Sequence, residues 1–188
     1  MRARAEAAKA TETGVLDAAI ELFTESAYED VSLERVARAA GVTKRTVIRR
    51  FGTKEELFTS AMARGRDEGM PQRDAAPVDD VPGAVRNVVE HYERWGKNRL
   101  RMISQEDRIP VVREDVEIGR HFHRRWVEST FHSLLAGATG AHRKRRIYGL
   151  LALTDVYTWK LLRLDHGLSR AETERTLIEL INSLEGEA

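Results

Sequence analysis

Apolar residues recur at helical spacing along almost the whole chain. From Thr13 to Thr24, Val15, Ala18, Ala19, Leu22 and Phe23 fall at i, i+3, i+4, i+7 and i+8, one face of a helix. Ser26 to Asp30 breaks that pattern. Ser32 then caps a second helix with Leu33, Val36, Ala37 and Ala40 as its buried stripe. Position 35 holds arginine rather than glutamate or glutamine, so Ser32 caps alone, without a capping box. Gly41 ends this helix as a residue that tolerates left-handed backbone. Thr43 caps a short third helix from Lys44 to about Phe51, which Gly52 closes. Thr53-Lys54-Glu55-Glu56 is a complete capping box and opens a fourth helix that runs to about Arg66.

The stretch from Gly69-Met70-Pro71 to Pro82-Gly83 holds three of the four prolines and a glycine at each end, and reads as a linker. Residues 1–66 are expected to form one domain with its linking fourth helix, and residues 67–188 a second. In the second, a long helix is expected from about Ala84 to Gln105, then a joint at Ile109-Pro110. A helix follows through Phe122, Trp126 and Leu134, then a break at Gly137–Gly140. The last two helices run from about Arg143 to Asp165 and from Ser169 to Leu184, with a capping box at Ser169-Arg170-Ala171-Glu172. No segment alternates as a strand does. The fold class is therefore all-α with about nine helices: three forming an amino-terminal helix-turn-helix domain, the rest a carboxy-terminal helical bundle.

Composition agrees with a packed interior: 41% of the 188 residues are hydrophobic and 32% charged. The net charge of +1 names no partner by itself. With no cysteine, disulfides, thiolate chemistry and cysteine-ligated metals are excluded. The start, Met1-Arg2-Ala3-Arg4-Ala5-Glu6, leads into no apolar run of the secretory kind. No stretch approaches the roughly 20 apolar residues of a membrane span. A cytoplasmic location, no membrane partner and no cofactor are the expectations.

Local charge changes the picture. From Arg35 to Lys54 the basic residues Arg35, Arg38, Lys44, Arg45, Arg49, Arg50 and Lys54 are interrupted by no acid. They span two helices joined by a turn with one glycine, the helix-turn-helix arrangement. At about 100° per residue, Val47 and Phe51 share the inward face of the third helix, and Arg45 and Arg49 point the opposite way. Thr46 and Ile48 flank them. In a major groove, Arg45 and Arg49 meet base edges, preferring guanine O6 and N7. Thr46 and Arg50 meet the phosphate walls, and Thr53 and Lys54 offer a helix N-terminus to a phosphate. With Ser32, Thr43, Lys44 and Ile48 these complete the candidate DNA contacts. A solvated basic face fits the charge pattern as well.

The segment also resembles the tetracycline-repressor (TetR) family. The matching residues are Val15-Leu16-Asp17-Ala18-Ala19-Ile20-Glu21-Leu22-Phe23, Tyr28, Val36-Ala37-Arg38-Ala39-Ala40-Gly41-Val42-Thr43-Lys44, Thr46-Val47, Phe51 and Thr53-Lys54-Glu55-Glu56-Leu57. The resemblance implies a homodimeric regulator, in most members a repressor, that leaves a palindromic operator when a small molecule binds its carboxy-terminal domain. Two positions depart. Arg45 stands where the family usually has a small residue, and Ile48 where it has a phosphate-binding tyrosine.

In the second half, Leu150 to Val156, Trp159 to Leu162 and Gly167 to Arg170 resemble the family's last two helices, which form a four-helix bundle with their symmetry mates. Leu150, Leu153, Val156, Tyr157, Leu161 and Leu164 are many apolar residues for one helix of a small domain. Leu150, Leu153, Tyr157 and Leu161, with Leu177 and Leu180, are the candidate dimer interface; a wide core stripe is the alternative. Tyr92, Trp95, Phe122, Trp126 and Trp159 are candidate lining for an effector pocket, and ordinary core packing suits each of them equally. His121 and His123, at i, i+2, face apart, so that segment alone with Glu117 makes no metal site. The run Arg143 to Arg146 reads as a solvated face. The competing classes are a DNA-binding architectural protein without a ligand and an enzyme on a helical bundle using Glu117, His121 and His123; no nucleophile-base spacing, phosphate loop or carboxylate pair supports the enzyme.

Overall fold

The computed structural model describes residues 2–184, with side chains from residue 6 onwards. Every regular element among the described residues is helical. They are α1 (Arg2–Glu25), a 3₁₀ turn (Tyr28–Asp30), α2 (Leu33–Ala39), α3 (Lys44–Phe51), α4 (Lys54–Asp74), α5 (Val81–Ile103), α6 (Pro110–Thr130), α7 (His132–Leu135), α8 (Gly140–Leu153), α9 (Val156–Lys160) and α10 (Arg170–Ser183), with a π-helical turn (Leu161–Asp165) continuing α9.

The chain divides into two compact units. The first holds the residues up to Glu68 together with Arg101–Val116. Its interior is built from Val15 and Phe23 of α1, Tyr28, Val36 and Ala37 of α2, Val47 of α3, and Leu57 and Phe58 of α4, all buried. Phe23, Tyr28 and Phe58 meet as one aromatic cluster, with ring centroids 5.0–5.6 Å apart. Gln105, also buried, accepts the Tyr28 backbone N–H at 2.6 Å and so gives a buried donor its partner. Helix α1 begins eleven residues before Thr13, where the periodic segment opens. The segment Arg2–Glu12 is rich in alanine, arginine and glutamate, which favour helix without leaving an apolar stripe.

The second unit holds Gly69–Leu100 and the residues from Glu117 on. Val85, Val88, Val89, Trp126, Val127, Phe131, Leu150, Trp159, Leu177 and Ile181 form its core. Three readings of the sequence are corrected here. Helix α4 does not stop near Arg66 but runs through Gly69 and Pro71 to Asp74. Tertiary hydrogen bonds hold its last turn: Gln72 and Asn87 donate side-chain amides to each other's backbone carbonyls at 3.0 and 2.6 Å, and Trp126 Nε1 donates to the Arg73 carbonyl at 2.9 Å. The helix through Phe122 and Trp126 breaks at Phe131, after which the Asp79 carboxylate accepts the Ser133 N–H at 2.7 Å. The expected helix from Arg143 to Asp165 starts at Gly140 and breaks after Thr154, because Asp155 accepts the Tyr157 N–H at 2.9 Å and caps a new one.

Candidate nucleic-acid interface

The turn between α2 and α3 is fixed by local chemistry. Ser32 Oγ accepts the Arg35 N–H at 3.1 Å and starts α2. Gly41, at φ +66°, lets the chain reverse while Val42 N–H donates to the Ala37 carbonyl at 2.9 Å. Thr43 Oγ1 accepts the Thr46 N–H at 3.2 Å and starts α3. Val47, fully buried, anchors α3 to the core; burial of a valine side chain stabilises by about 1.5 kcal/mol or more. Gly52, at φ +69°, ends α3, and Thr53 and Glu56 form the reciprocal capping box that starts α4.

The face of α3 opposite Val47 is exposed and basic. Lys44, Arg45 and Arg49 are exposed, as is Arg38 on α2. Among the described residues none of these four makes an ion pair. Ile48 lies beside them, also exposed. The remaining candidates are engaged within the first unit. Thr46 Oγ1 lies 2.9 Å from Thr43 Oγ1. Arg50 Nη1 donates to Glu12 Oε2 of α1 at 2.8 Å. Lys54 is turned away from open solvent: its Nζ stands 4.1 Å over the Tyr28 ring and donates to the Glu29 carbonyl at 3.4 Å. Burial lowers the Lys54 pKa, and the nearby acids Glu55, Glu29 and Asp30 offset this only in part. Sequence reasoning missed Glu12, which lies outside the basic segment and on another helix.

In the second unit the candidate ligand residues do not enclose a common space. Tyr92, Trp126 and Trp159 are buried, Trp95 and Phe122 half-buried. Tyr92 donates to the Thr154 carbonyl at 3.1 Å, and Trp159 Nε1 donates to Glu93 at 3.0 Å. A shallow dimple lined by Leu134, Arg146, Leu150 and Leu184 leaves no room even for a water molecule. The candidate interface residues divide. Leu150 and Leu177, only 1% and 2% exposed, are core, because α8 and α10 pack on each other. Leu153 is half-buried. Tyr157, Leu161 and Leu180 are 43–55% exposed, and Leu164 joins them at 42%. His121 faces solvent and bonds the Glu117 carbonyl of its own helix at 2.8 Å, while His123 turns inward. Among the described residues no three His, Asp or Glu side chains are placed to hold a metal. No helix there is long and apolar enough to cross a membrane.

A short capped helix with a buried anchor, a glycine-terminated turn before it and an unpaired basic outer face together define a helix-turn-helix protein. Residues 15–61 match the model of the bacterial regulatory proteins of the tetR family. The chain is 31% identical over 133 residues to the uncharacterized HTH-type transcriptional regulator YezE of Bacillus subtilis, covering 64% of this chain and 66% of that one. It is 25% identical over 182 residues to the HTH-type transcriptional repressor AcnR of Corynebacterium glutamicum, covering 92% of this chain and 89% of that one. A tetR-family regulator from Streptomyces coelicolor shares the fold, with a TM-score of 0.71 and 17% identity over 93% of this chain and 79% of that one. Residues 15–61 thus carry the helix-turn-helix of the tetR family, and the chain is similar over most of its length to helix-turn-helix transcriptional regulators.

Proposed function

We propose that the chain forms a cytoplasmic homodimer that represses transcription from a palindromic operator and is released by a small molecule bound in its second unit. The exposed, acid-free face of α3 carries the reading. Arg45 and Arg49, one turn apart and unpaired, are positioned as base readers for guanine. Lys44 and the Thr43–Thr46 hydroxyl pair sit at the helix start, suited to a phosphate. Arg50 and Lys54 reach a phosphate only by leaving Glu12 and Tyr28. The Arg50–Glu12 pair is partly exposed and worth no more than about 1 kcal/mol, so a phosphate competes with it easily. Tyr157, Leu161, Leu164 and Leu180 are large apolar side chains left exposed, suited to an isologous contact. AcnR is named a repressor, which supports the sign of the effect.

Selection of double-stranded DNA from a random pool by the purified chain tests this. The expected product is an inverted repeat whose half-sites lie about one helical turn apart, roughly 34–36 Å, or a multiple of it. Enrichment of no sequence, or of single half-sites only, contradicts the proposal.

A further inference from the structure

The second unit contains a buried cation with no counter-ion. Arg73, near the end of α4, is 3% exposed. Its guanidinium lies 4.0 Å from the Trp126 ring centroid and 5.7 Å from that of Tyr92. Arg73 Nη2 donates to His123 Nδ1 at 3.1 Å, and its Nε has no partner. Among the described residues it makes no ion pair: it donates a hydrogen bond to the Tyr92 hydroxyl, and Asp74, next in the chain and exposed, attracts it only weakly against the cost of burial.

Its other neighbours make the place more cationic. His123 Nε2 lies 3.2 Å from Thr154 Oγ1, which donates to the Leu150 carbonyl at 2.7 Å. With Nδ1 accepting from Arg73, the imidazole is neutral and donates from Nε2 to Thr154. His91 is held by Gln72 Oε1 at 3.0 Å. A second guanidinium, that of Arg99, lies against the backbone of Gly119, where a Cβ would stand 2.2 Å from Nη2. The charges of Arg73 and Arg99 both bear on His91 and His123, adding to desolvation, and both imidazoles are pushed down to about 3. Two arginines and two neutral histidines thus converge in one unit, and none of the charges acting on the two histidines is an acid.

A buried arginine without a carboxylate is costly, by several kcal/mol for an uncompensated ion. The rings and the neutral imidazole reduce that cost but supply no negative charge. The planar guanidinium fork fits a carboxylate with two parallel hydrogen bonds. We propose that Arg73 anchors the effector, and that the effector is a small organic carboxylate whose apolar remainder meets Trp126 and Tyr92. This rests on the small-molecule release proposed above and names the ligand class. The rings close over Arg73, so the anion enters only a more open conformer of the unit. Its binding therefore selects that conformer, the differential affinity that any effector requires.

The test uses the full chain and three variants, Arg73→Met, Arg73→Lys and His123→Gln, at constant ionic strength. Probes are acetate, succinate, benzoate and inorganic phosphate, with succinamide and benzamide as uncharged counterparts. Readouts are melting temperature and release of the selected DNA. The proposal expects a carboxylate to raise the wild-type melting temperature by about 5–10 °C at a hundredfold excess over its Kd, and its amide to do nothing. Arg73→Met should abolish that rise and, freed of an unpaired charge, melt no lower than wild type without ligand. Arg73→Lys should retain part of the rise, and His123→Gln, which keeps the arginine, most of it. A phosphate response with none from the carboxylates overturns the ligand class. Carboxylate shifts equal in wild type and Arg73→Met, or absent from both, overturn the anchor. An Arg73→Met protein that melts several degrees lower with its ligand response intact marks the arginine as structural and also overturns it. DNA release by benzamide but by no carboxylate leaves the effector reading standing and this inference refuted. A carboxylate that stabilises wild type through Arg73 without releasing DNA supports the site and removes the effector reading.

Discussion

Gly96, in the middle of α5, is where the packing of the second unit is most sharply testable. A Cβ built there stands 2.6, 2.9 and 3.0 Å from Cζ3, Cη2 and Cε3 of Trp159. The indole is not free to yield: it is 3% exposed and its Nε1 is tied to Glu93 at 3.0 Å. Glu93 is held in turn by Arg163, with Nε–Oε1 at 2.6 Å. Ordinary contact therefore requires the ring to retreat by about 1 Å inside a close-packed core, the kind of overpacking that costs about 1–3 kcal/mol. Replacing a mid-helix glycine by alanine otherwise stabilises by about 0.5–1 kcal/mol. The net expectation for Gly96→Ala is a loss of about 0.5–2 kcal/mol. Gly69→Ala is the control in the same unit, because a Cβ there meets only His91 Cε1 at 3.9 Å. It should gain stability. Urea unfolding followed by tryptophan fluorescence measures both, and the two midpoints should move in opposite directions. Equal stabilisation by both would show that the Trp159 indole does not rest on the α5 backbone.

Three further outcomes follow from other contacts. Glu12→Gln removes the partner of Arg50 and should tighten binding to DNA of any sequence, by no more than the roughly fivefold that about 1 kcal/mol allows; affinity that does not rise would mean Arg50 faces no phosphate. His91 and His123, with pKa pushed down from 6.5 to about 3, stay neutral in the fold while the unfolded chain takes up protons. Stability is therefore fullest above pH 6.5 and declines towards pH 3, by at most about 1.4 kcal/mol per pH unit for each histidine and less for their partial exposure; a urea midpoint that does not fall between about pH 7.5 and 5.5 would place both imidazoles in solvent. Leu161→Glu, at a position 48% exposed, should leave the circular dichroism intact and sediment as a monomer, whereas a dimer that survives it would locate the interface elsewhere.

The helix-turn-helix was legible because each of its boundaries has a local cause. Ser32, Thr43, Gly41, Gly52 and the Thr53–Glu56 box are all used as their residue types imply. The inward side of α3 was equally legible, since Val47 follows from periodicity alone. What the sequence hid depends on distant partners. Pro71 and its flanking glycines read as a break, but Asn87 and Trp126 hold that turn helical. Arg73 lay inside the supposed linker, so nothing marked it as buried. Arg50 and Lys54 were read as free cations because Glu12 and the Tyr28 ring meet them only after folding. Leu150 and Leu177 carry the same apolar signal as Leu161 and Leu180; periodicity identifies a helix face but not whether this chain or a second copy covers it.

The central claim is that the outer face of α3 reads DNA sequence. Fluorescence anisotropy with wild type and Arg49→Ala, each on the selected inverted repeat and on random duplex at the same salt, tests it most directly. Loss of a bidentate contact to guanine should weaken the selected site by about 1–3 kcal/mol per half-site, roughly 5- to 150-fold each, and relax preference at one base pair per half-site. Random duplex should weaken less, by no more than one charge contributes. Equal weakening of both, with preference unchanged at every position, would make Arg49 a phosphate contact and contradict the account.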